Sequence, residues 1–145
     1  MASSPPSGQY TSGDLRGPEH APILHDEAGF GVVYTINAET SNTITVNCQI
    51  NDANGDAVDE AYVVTQYLAT TSAGTTSVAA TTSLVAGTDG QILLEHVSNS
   101  YWTAITEADG DLDIVIGDAG GAATYYLVTV LATGKTYVSD VITFA

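Results

Sequence analysis

The sequence predicts an all-β fold, and three observations support this prediction. Residues 124–145 contain two β-rich runs joined by the loop 132–135, where Gly134 supplies the positive φ that a short hairpin loop needs. Residues 43–50 alternate apolar and polar side chains, as a half-buried strand does. Turn sequences containing Gly, Asn or Asp recur about every ten residues. An apolar hairpin cannot stand alone in water, so we expect further strands in a second layer.

The strands are expected to follow one another from residue 30 onward. The predicted runs are 30–36, 43–50, 61–69, 77–85, 91–97, 101–106, 112–116, 125–131 and 136–144, of which 77–85 is the weakest. With 77–85 weak, these nine runs predict about eight strands and no convincing helix, which is typical of an immunoglobulin-like β-sandwich. A jelly roll or a small barrel is the next choice.

The lone cysteine belongs to the apolar phase of the second run, together with Ile44, Val46 and Ile50. Cys48 is therefore expected to be a buried structural thiol. A single cysteine also excludes an intramolecular disulfide and the Cys–Trp–Cys pattern of antibody domains.

Composition divides the chain into two segments. Residues 1–28 hold all four prolines, Pro5, Pro6, Pro18 and Pro22, and show neither helical nor alternating periodicity. This segment is predicted to be an extended N-terminal arm. Residues 29–145 are predicted to form one β-sandwich domain.

The charge balance excludes several partners. Arg16 and Lys135 are the two basic residues, against 17 acidic ones, and the formal net charge is −15. Such a chain cannot neutralise phosphates, so neither nucleic acid nor an anionic membrane is an expected partner. No apolar run approaches the length of a membrane span. Copies of the chain should repel one another at low salt, so self-assembly would need apolar or hydrogen-bonded contacts, or counterions.

The densest acidic cluster is a candidate calcium site. Asp109, Asp111 and Asp113 are spaced so that their carboxylates could hold Ca²⁺. An EF-hand loop starting at Asp109 would need Gly and Glu where Ile114 and Gly120 stand. A turn followed by the solvent face of a strand is the favoured interpretation, and no metal or cofactor is expected. His20 and His25 could form a metal site if the arm folded back, but a solvated arm is favoured.

No catalytic motif is present. The sequence contains no G-x-S-x-G, no P-loop and no dinucleotide fingerprint, and its acidic residues fall in turns. We therefore do not expect an enzyme. The strand aromatics, among them Tyr125 and Tyr126 on opposite faces of one run, are expected to serve the core and an interface.

The C-terminal half resembles small virion proteins of tailed bacteriophages. The resemblance is carried by the D-G-D-L-D-I-V-I strand, the following Gly/Ala loop and the ending TYYLVTVLATGKTYVSDVITFA. The family is that of head-decoration, or cement, proteins with immunoglobulin-like or related β-sandwich domains.

The resemblance implies a non-catalytic protein on the outside of the phage head. Its partner would be the major capsid protein, and it would act as a homo-oligomer, a trimer, whose N-terminal arm staples neighbouring subunits. Within the arm, the expected contact residues are Tyr10, Leu15, Arg16, Ile23 and Leu24, the apolar or basic anchors of a polar segment. The alternative is a phage fibre or adhesin module that binds host-surface carbohydrate, with a cleft near Trp102 or the acidic loops.

Overall fold

The computed structural model describes residues 29–145, which form ten strands in two antiparallel sheets. The strands are β1 (Gly31–Ile36), β2 (Thr43–Asn51), β3 (Val63–Ala69), β4 (Ser83–Ala86), β5 (Gln91–Val97), β6 (Tyr101–Ile105), β7 (Asp111–Gly117), β8 (Ala123–Val130), β9 (Thr136–Val138) and β10 (Ile142–Phe144). The predicted all-β sandwich is confirmed, with ten strands in place of about eight.

The order of the strands is that of an immunoglobulin-like sandwich. Sheet one has the order β1-β2-β7-β4, and sheet two has the order β10-β8-β3-β6-β5 with β9 also paired to β8. If β1, β2, β3 and β4 are labelled A to D and β7, β8 and β9/β10 are labelled E to G, the sheets contain the ABED and CFG sets of a constant domain. The difference is that β5 and β6, which follow strand D in the chain, extend sheet two beyond strand C.

Two predicted strand boundaries were wrong, and both errors mark places where the chain changes partners. The run 77–85 contains β4 only at its end, because residues 77–82 cross between the sheets: Val78 donates to the Leu68 carbonyl in sheet two, and Thr82 donates to the Gly117 carbonyl in sheet one. The run 136–144 is divided into β9 and β10 at Ser139, whose hydroxyl accepts a hydrogen bond from the Leu127 amide at 2.9 Å.

The core lies between the two sheets. The alternation predicted for β2 is confirmed, since each apolar residue of its run 43–50 is buried and each polar residue is partly exposed. Leu112, Ile114 and Ile116 of β7 repeat the pattern on the neighbouring strand. Cys48 is buried as predicted, and burial raises the pKa of its thiol to about 12, so it is inert at neutral pH.

A chain of hydrogen bonds crosses this apolar core. The Trp102 indole N–H donates to Gln66 Oε1 at 3.0 Å, and Gln66 Nε2 donates to Thr129 Oγ1 at 3.0 Å and to Cys48 Sγ at 3.4 Å. Gln66 is completely buried, and these three bonds use its acceptor and both donor hydrogens. A buried amide in this position is therefore satisfied by side chains of β2, β6 and β8.

The same series of hydrogen bonds continues to Tyr34 on β1, the edge strand of sheet one. The Tyr34 hydroxyl lies 2.8 Å from Thr129 Oγ1 and 2.9 Å from the Tyr137 carbonyl oxygen. Because a hydroxyl has one proton, a consistent arrangement has Tyr34 donating to the carbonyl and accepting from Thr129, which in turn accepts from Gln66. The Tyr137 hydroxyl donates to the Phe30 carbonyl at 2.6 Å. The network thus joins β1 in sheet one to β3, β6, β8 and β9 in sheet two.

A second buried polar contact fixes the connection between β7 and β8. The Tyr125 hydroxyl donates to Asp118 Oδ2 at 2.5 Å, and the Gly120 amide donates to Asp118 Oδ1 at 2.8 Å. Tyr125 stands at the start of strand F, the position of the tyrosine corner of immunoglobulin domains. There the tyrosine hydroxyl bonds to the backbone, whereas here its acceptor is the Asp118 side chain. Leu127, two residues on, is buried where antibody domains have their second Cys, which agrees with the single cysteine of this chain.

The free edge of sheet two is irregular. Strand β5 shifts register against β6 between Ile92 and Leu94 and again between Glu95 and Val97, so it contains two bulged positions. Glu95 lies opposite the inward-pointing Trp102 and accepts a hydrogen bond from the Asn99 amide at 2.7 Å, which closes the β5–β6 turn. This edge strand is exposed along nearly its whole length.

We predict that Gln66→Leu destabilises the fold although it preserves volume. The substitution leaves the Trp102 indole donor buried without its acceptor, so the free energy of unfolding should fall by about 1–3 kcal/mol. Urea denaturation followed by tryptophan fluorescence measures this change. Gln91→Leu, at an exposed position of β5, is the matched control and should be neutral; equal effects of the two substitutions would contradict the role of the network.

We predict that the contribution of Asp118 depends on pH. Hydrogen bonds from Thr81 and Tyr125 lower the pKa of Asp118, so its contribution to stability is present above the unfolded pKa of about 3.9 and is lost as pH falls through the folded pKa. Asp118→Asn should therefore cost about 1–3 kcal/mol near neutral pH and much less near pH 2. Thermal unfolding across this range, with the exposed Asp140→Asn as control, measures the difference; a pH-independent cost would contradict the assignment.

Candidate functional site

The two outer faces of the sandwich differ in charge. The partly exposed positions of β2 and β7 form much of the outer face of sheet one, and they include Asn47, Gln49, Asp111 and Asp113. We call this the acidic face. It lies on the opposite side of the core from sheet two.

An acidic cluster lies at one end of this face. Carboxylate oxygens of Asp89, Asp111 and Asp113 all lie within 4.8 Å of one another. Of the three candidate calcium ligands, Asp111 and Asp113 are thus brought together. Asp109 lies in the preceding turn and accepts a hydrogen bond from the Asp111 amide at 3.3 Å. Asp89 was missed by sequence reasoning because it approaches the cluster from the loop before β5, where the Asp113 amide donates to its backbone carbonyl at 2.8 Å.

The electrostatics of the cluster are repulsive. Among residues 29–145 the single lysine or arginine is Lys135, which lies over the Tyr137 ring at 5.5 Å from its centroid. Partial burial, followed by the carboxylates of Asp113 and Asp111, raises the pKa of Asp89. Asn47 Nδ2 donates to both Asp111 and Asp113, at 2.9 Å for the latter, and supplies some compensation. The donor set is all oxygen, which suits a hard cation such as Ca²⁺ rather than Zn²⁺.

The outward register positions of β3, β5 and β6 in sheet two contain no carboxylate. The outward side chains of β3, β5 and β6 form one continuous surface, because Val63 pairs with Ile105, Ile105 with Gln91, and Tyr101 with Val97 across the strands. We call this the uncharged face and define it by Val63, Leu94, Val97, Tyr101, Thr103 and Ile105. Four of these side chains, all apolar or aromatic, are exposed: Val63, Leu94, Val97 and Tyr101.

Polar side chains and a loop border the uncharged face. His96, the single histidine among residues 29–145, lies 2.7 Å from the Thr103 hydroxyl and stacks on Tyr101 with ring centroids 4.6 Å apart. The loop that follows β3 covers the other half of the face, where the Tyr67 hydroxyl donates to the Gly74 carbonyl at 2.7 Å. The exposed part therefore consists of aliphatic groups, hydroxyls, the Tyr101 ring and the His96 imidazole stacked on it.

The cleft expected near Trp102 under the carbohydrate hypothesis has a different lining. Trp102 is completely buried and hydrogen-bonded to Gln66, so its ring cannot act as a sugar platform. The adjacent Tyr101 instead lines a shallow cavity of about 350 Å³ together with Tyr67, Thr75 and Ser77. The surface there is neutral and rich in hydroxyl groups.

The expected arm contacts, Tyr10, Leu15, Arg16, Ile23 and Leu24, lie outside the described residues, as does the pair His20 and His25. Within the described part, no helix could cross a lipid bilayer.

Comparisons with known proteins do not assign a family or a function to this chain. The sequence matches no protein-family profile. It matches no curated protein sequence. The ZirS C-terminal domain is similar with 15% identity over 99% of this chain and 86% of that one, at a TM-score of 0.37. A GH20 exo-β-N-acetylglucosaminidase from Vibrio harveyi is similar with 10% identity over 77% of this chain and 18% of that one, at a TM-score of 0.32. Such low TM-scores give no basis for transferring a function.

We predict that Asp89→Asn raises the melting temperature at neutral pH and low ionic strength. A raised folded-state pKa means that ionised Asp89 opposes folding, so this penalty disappears as pH falls below that pKa, and replacing the carboxylate should remove it at neutral pH. Differential scanning calorimetry measures the shift, which should shrink in concentrated NaCl because salt screens the repulsion. The exposed Asp59→Asn serves as control, and a decrease for Asp89→Asn would contradict the prediction.

Proposed function

We propose that this protein is a non-catalytic virion component, a decoration protein that binds the outside of a tailed-phage head and stabilises the shell. The observation that carries the proposal is the exposure of Leu94, Val97 and Tyr101 together on a domain that is otherwise rich in carboxylates. Apolar and aromatic side chains grouped on a rigid sheet are the usual material of a protein–protein contact. The resemblance of the C-terminal half to decoration proteins supports the same assignment.

The mechanism would be stabilisation by binding. Each copy would bury surface across neighbouring shell subunits, and its binding free energy would add to the free energy needed to separate them. The arm residues Tyr10, Leu15, Arg16, Ile23 and Leu24 would supply anchors to the major capsid protein. Association of copies, a trimer in the implied form, would convert several weak contacts into one strong attachment through effective concentration.

A second candidate function is supported by the cavity beside Tyr101. A neutral, hydroxyl-lined depression with an exposed aromatic ring is compatible with a carbohydrate, as the adhesin alternative requires. Trp102 is completely buried, so the aromatic contact to a sugar would come from Tyr101 instead. Binding to a glycan array that is lost in Tyr101→Ala would favour this function over shell binding.

The test of the proposed function is binding to phage heads. Purified heads stripped of this protein should rebind the full chain in a saturable manner, and rebinding should raise the temperature at which the heads release DNA. A Leu15→Asp/Ile23→Asp double variant should bind more weakly because it charges the apolar anchors of the arm, whereas the same change at polar arm positions, Ser7→Asp/Ser12→Asp, is the matched control. Heads that neither bind the chain nor gain thermal resistance would refute the proposal.

A further inference from the structure

The lack of carboxylates on the uncharged face bears on the kind of partner it can bind, because the chain as a whole is strongly acidic. With a formal charge of −15, a surface that meets a basic partner would gain affinity and association rate from carboxylates placed around the contact. The acidic face has such groups in Asp111 and Asp113. None of the six residues that define the uncharged face carries a carboxylate, so this face gains nothing from a basic partner.

A partner that is itself acidic binds best to a surface without carboxylates. Bringing carboxylates of two acidic proteins together in a contact costs free energy, through both desolvation and like-charge repulsion. The uncharged face avoids this cost, because its exposed groups are Val63, Leu94, Val97 and Tyr101. The most direct partner with the same charge as this chain is another copy of it.

We propose that two copies of this chain associate through the uncharged face. The proposal deepens and rests on the proposed function, in which copies act together on the shell. A surface that meets its own copy closes across a two-fold axis, so the contact builds a dimer rather than the trimer that the resemblance implies. Tyr101 supplies a rigid aromatic group within the contact, and Thr103 supplies a hydroxyl that can hydrogen-bond across it.

The arrangement also separates the charges of the two copies. With sheet two packed against sheet two, the acidic faces lie on the outside of a stack of four sheets. At about 10 Å between packed sheets, the two acidic faces are roughly 30 Å apart. This distance exceeds the Debye length of about 8 Å at physiological ionic strength, so their mutual repulsion is largely screened.

The decisive experiment compares two valine variants of the full chain. Val63 in the uncharged face is 51% exposed and Val33 on the outer face of sheet one is 55% exposed, so Val63→Glu and Val33→Glu are matched in chemistry and exposure. Sedimentation velocity over a concentration series should show a monomer–dimer equilibrium for the wild type. Val63→Glu should raise its dissociation constant by at least about tenfold, since the two-fold axis introduces the charge twice, and Val33→Glu should leave it unchanged.

Salt gives an independent readout. An uncharged contact between acidic copies should tighten as NaCl is added, because screening weakens the repulsion of the remaining surface. Leu94→Glu provides a second variant in case Val63→Glu disturbs folding, which circular dichroism would reveal. A wild type that stays monomeric at all concentrations, a dimer that weakens with salt, or an oligomer insensitive to both charged variants would overturn the proposal.

Covalent surface labelling with a diazirine reagent distinguishes other occupants of the face. Labelling of Val97 and Tyr101 in dilute solution that decreases on concentration supports a second copy. Protection at every concentration would mean that another part of the same chain covers the face, and would overturn the proposal. Because these measurements need no phage heads, a failure of self-association is distinguishable from a failure of head binding.

Discussion

The hydrogen-bond network centred on Gln66 determines how the two sheets of this sandwich meet. Apolar burial is non-directional, so packed sheets of Val, Ile and Leu could slide against one another at modest cost. The bonds from Trp102 through Gln66 and Thr129 to Tyr34 have fixed lengths and directions, and they span both sheets. In a low-dielectric core a misaligned arrangement would leave several polar groups unsatisfied at once. One relative position of the sheets is therefore strongly preferred.

The parts of the fold that local pattern determines were predictable. The alternation of β2, the glycine of the β8–β9 loop and the turn before β7 each depend on neighbouring residues, and the sequence revealed them. The buried position of Gln66 could not be inferred in this way. A glutamine in a strand can face either solvent or the core, and its partners Trp102 and Thr129 lie on strands distant in sequence. The strands 77–85 and 136–144 were misjudged because the chain changes sheets or partners there, which is a property of tertiary structure.

The candidate site was predictable to a similar extent. Asp111 and Asp113 belong to one strand, so their proximity follows from spacing, whereas Asp89 joins them through a loop distant in sequence. The uncharged face is likewise assembled from three separate strands, and each strand by itself contributes three or fewer residues to it. The two surfaces differ in charge. Asp111 and Asp113 are partly exposed on sheet one, whereas the residues that define the uncharged face of sheet two include no carboxylate.

The irregular edge of sheet two has a consequence for solubility at high local concentration. A straight, exposed edge strand with leucine and valine side chains would be a template on which further strands could add, and such growth leads to fibrils. The two bulges of β5 interrupt the ladder of backbone donors and acceptors that addition requires, and the exposed carboxylate of Glu95 adds a charge at this edge. The apolar side chains near this edge are thus accompanied by an interrupted ladder, which disfavours the open-ended addition of further strands.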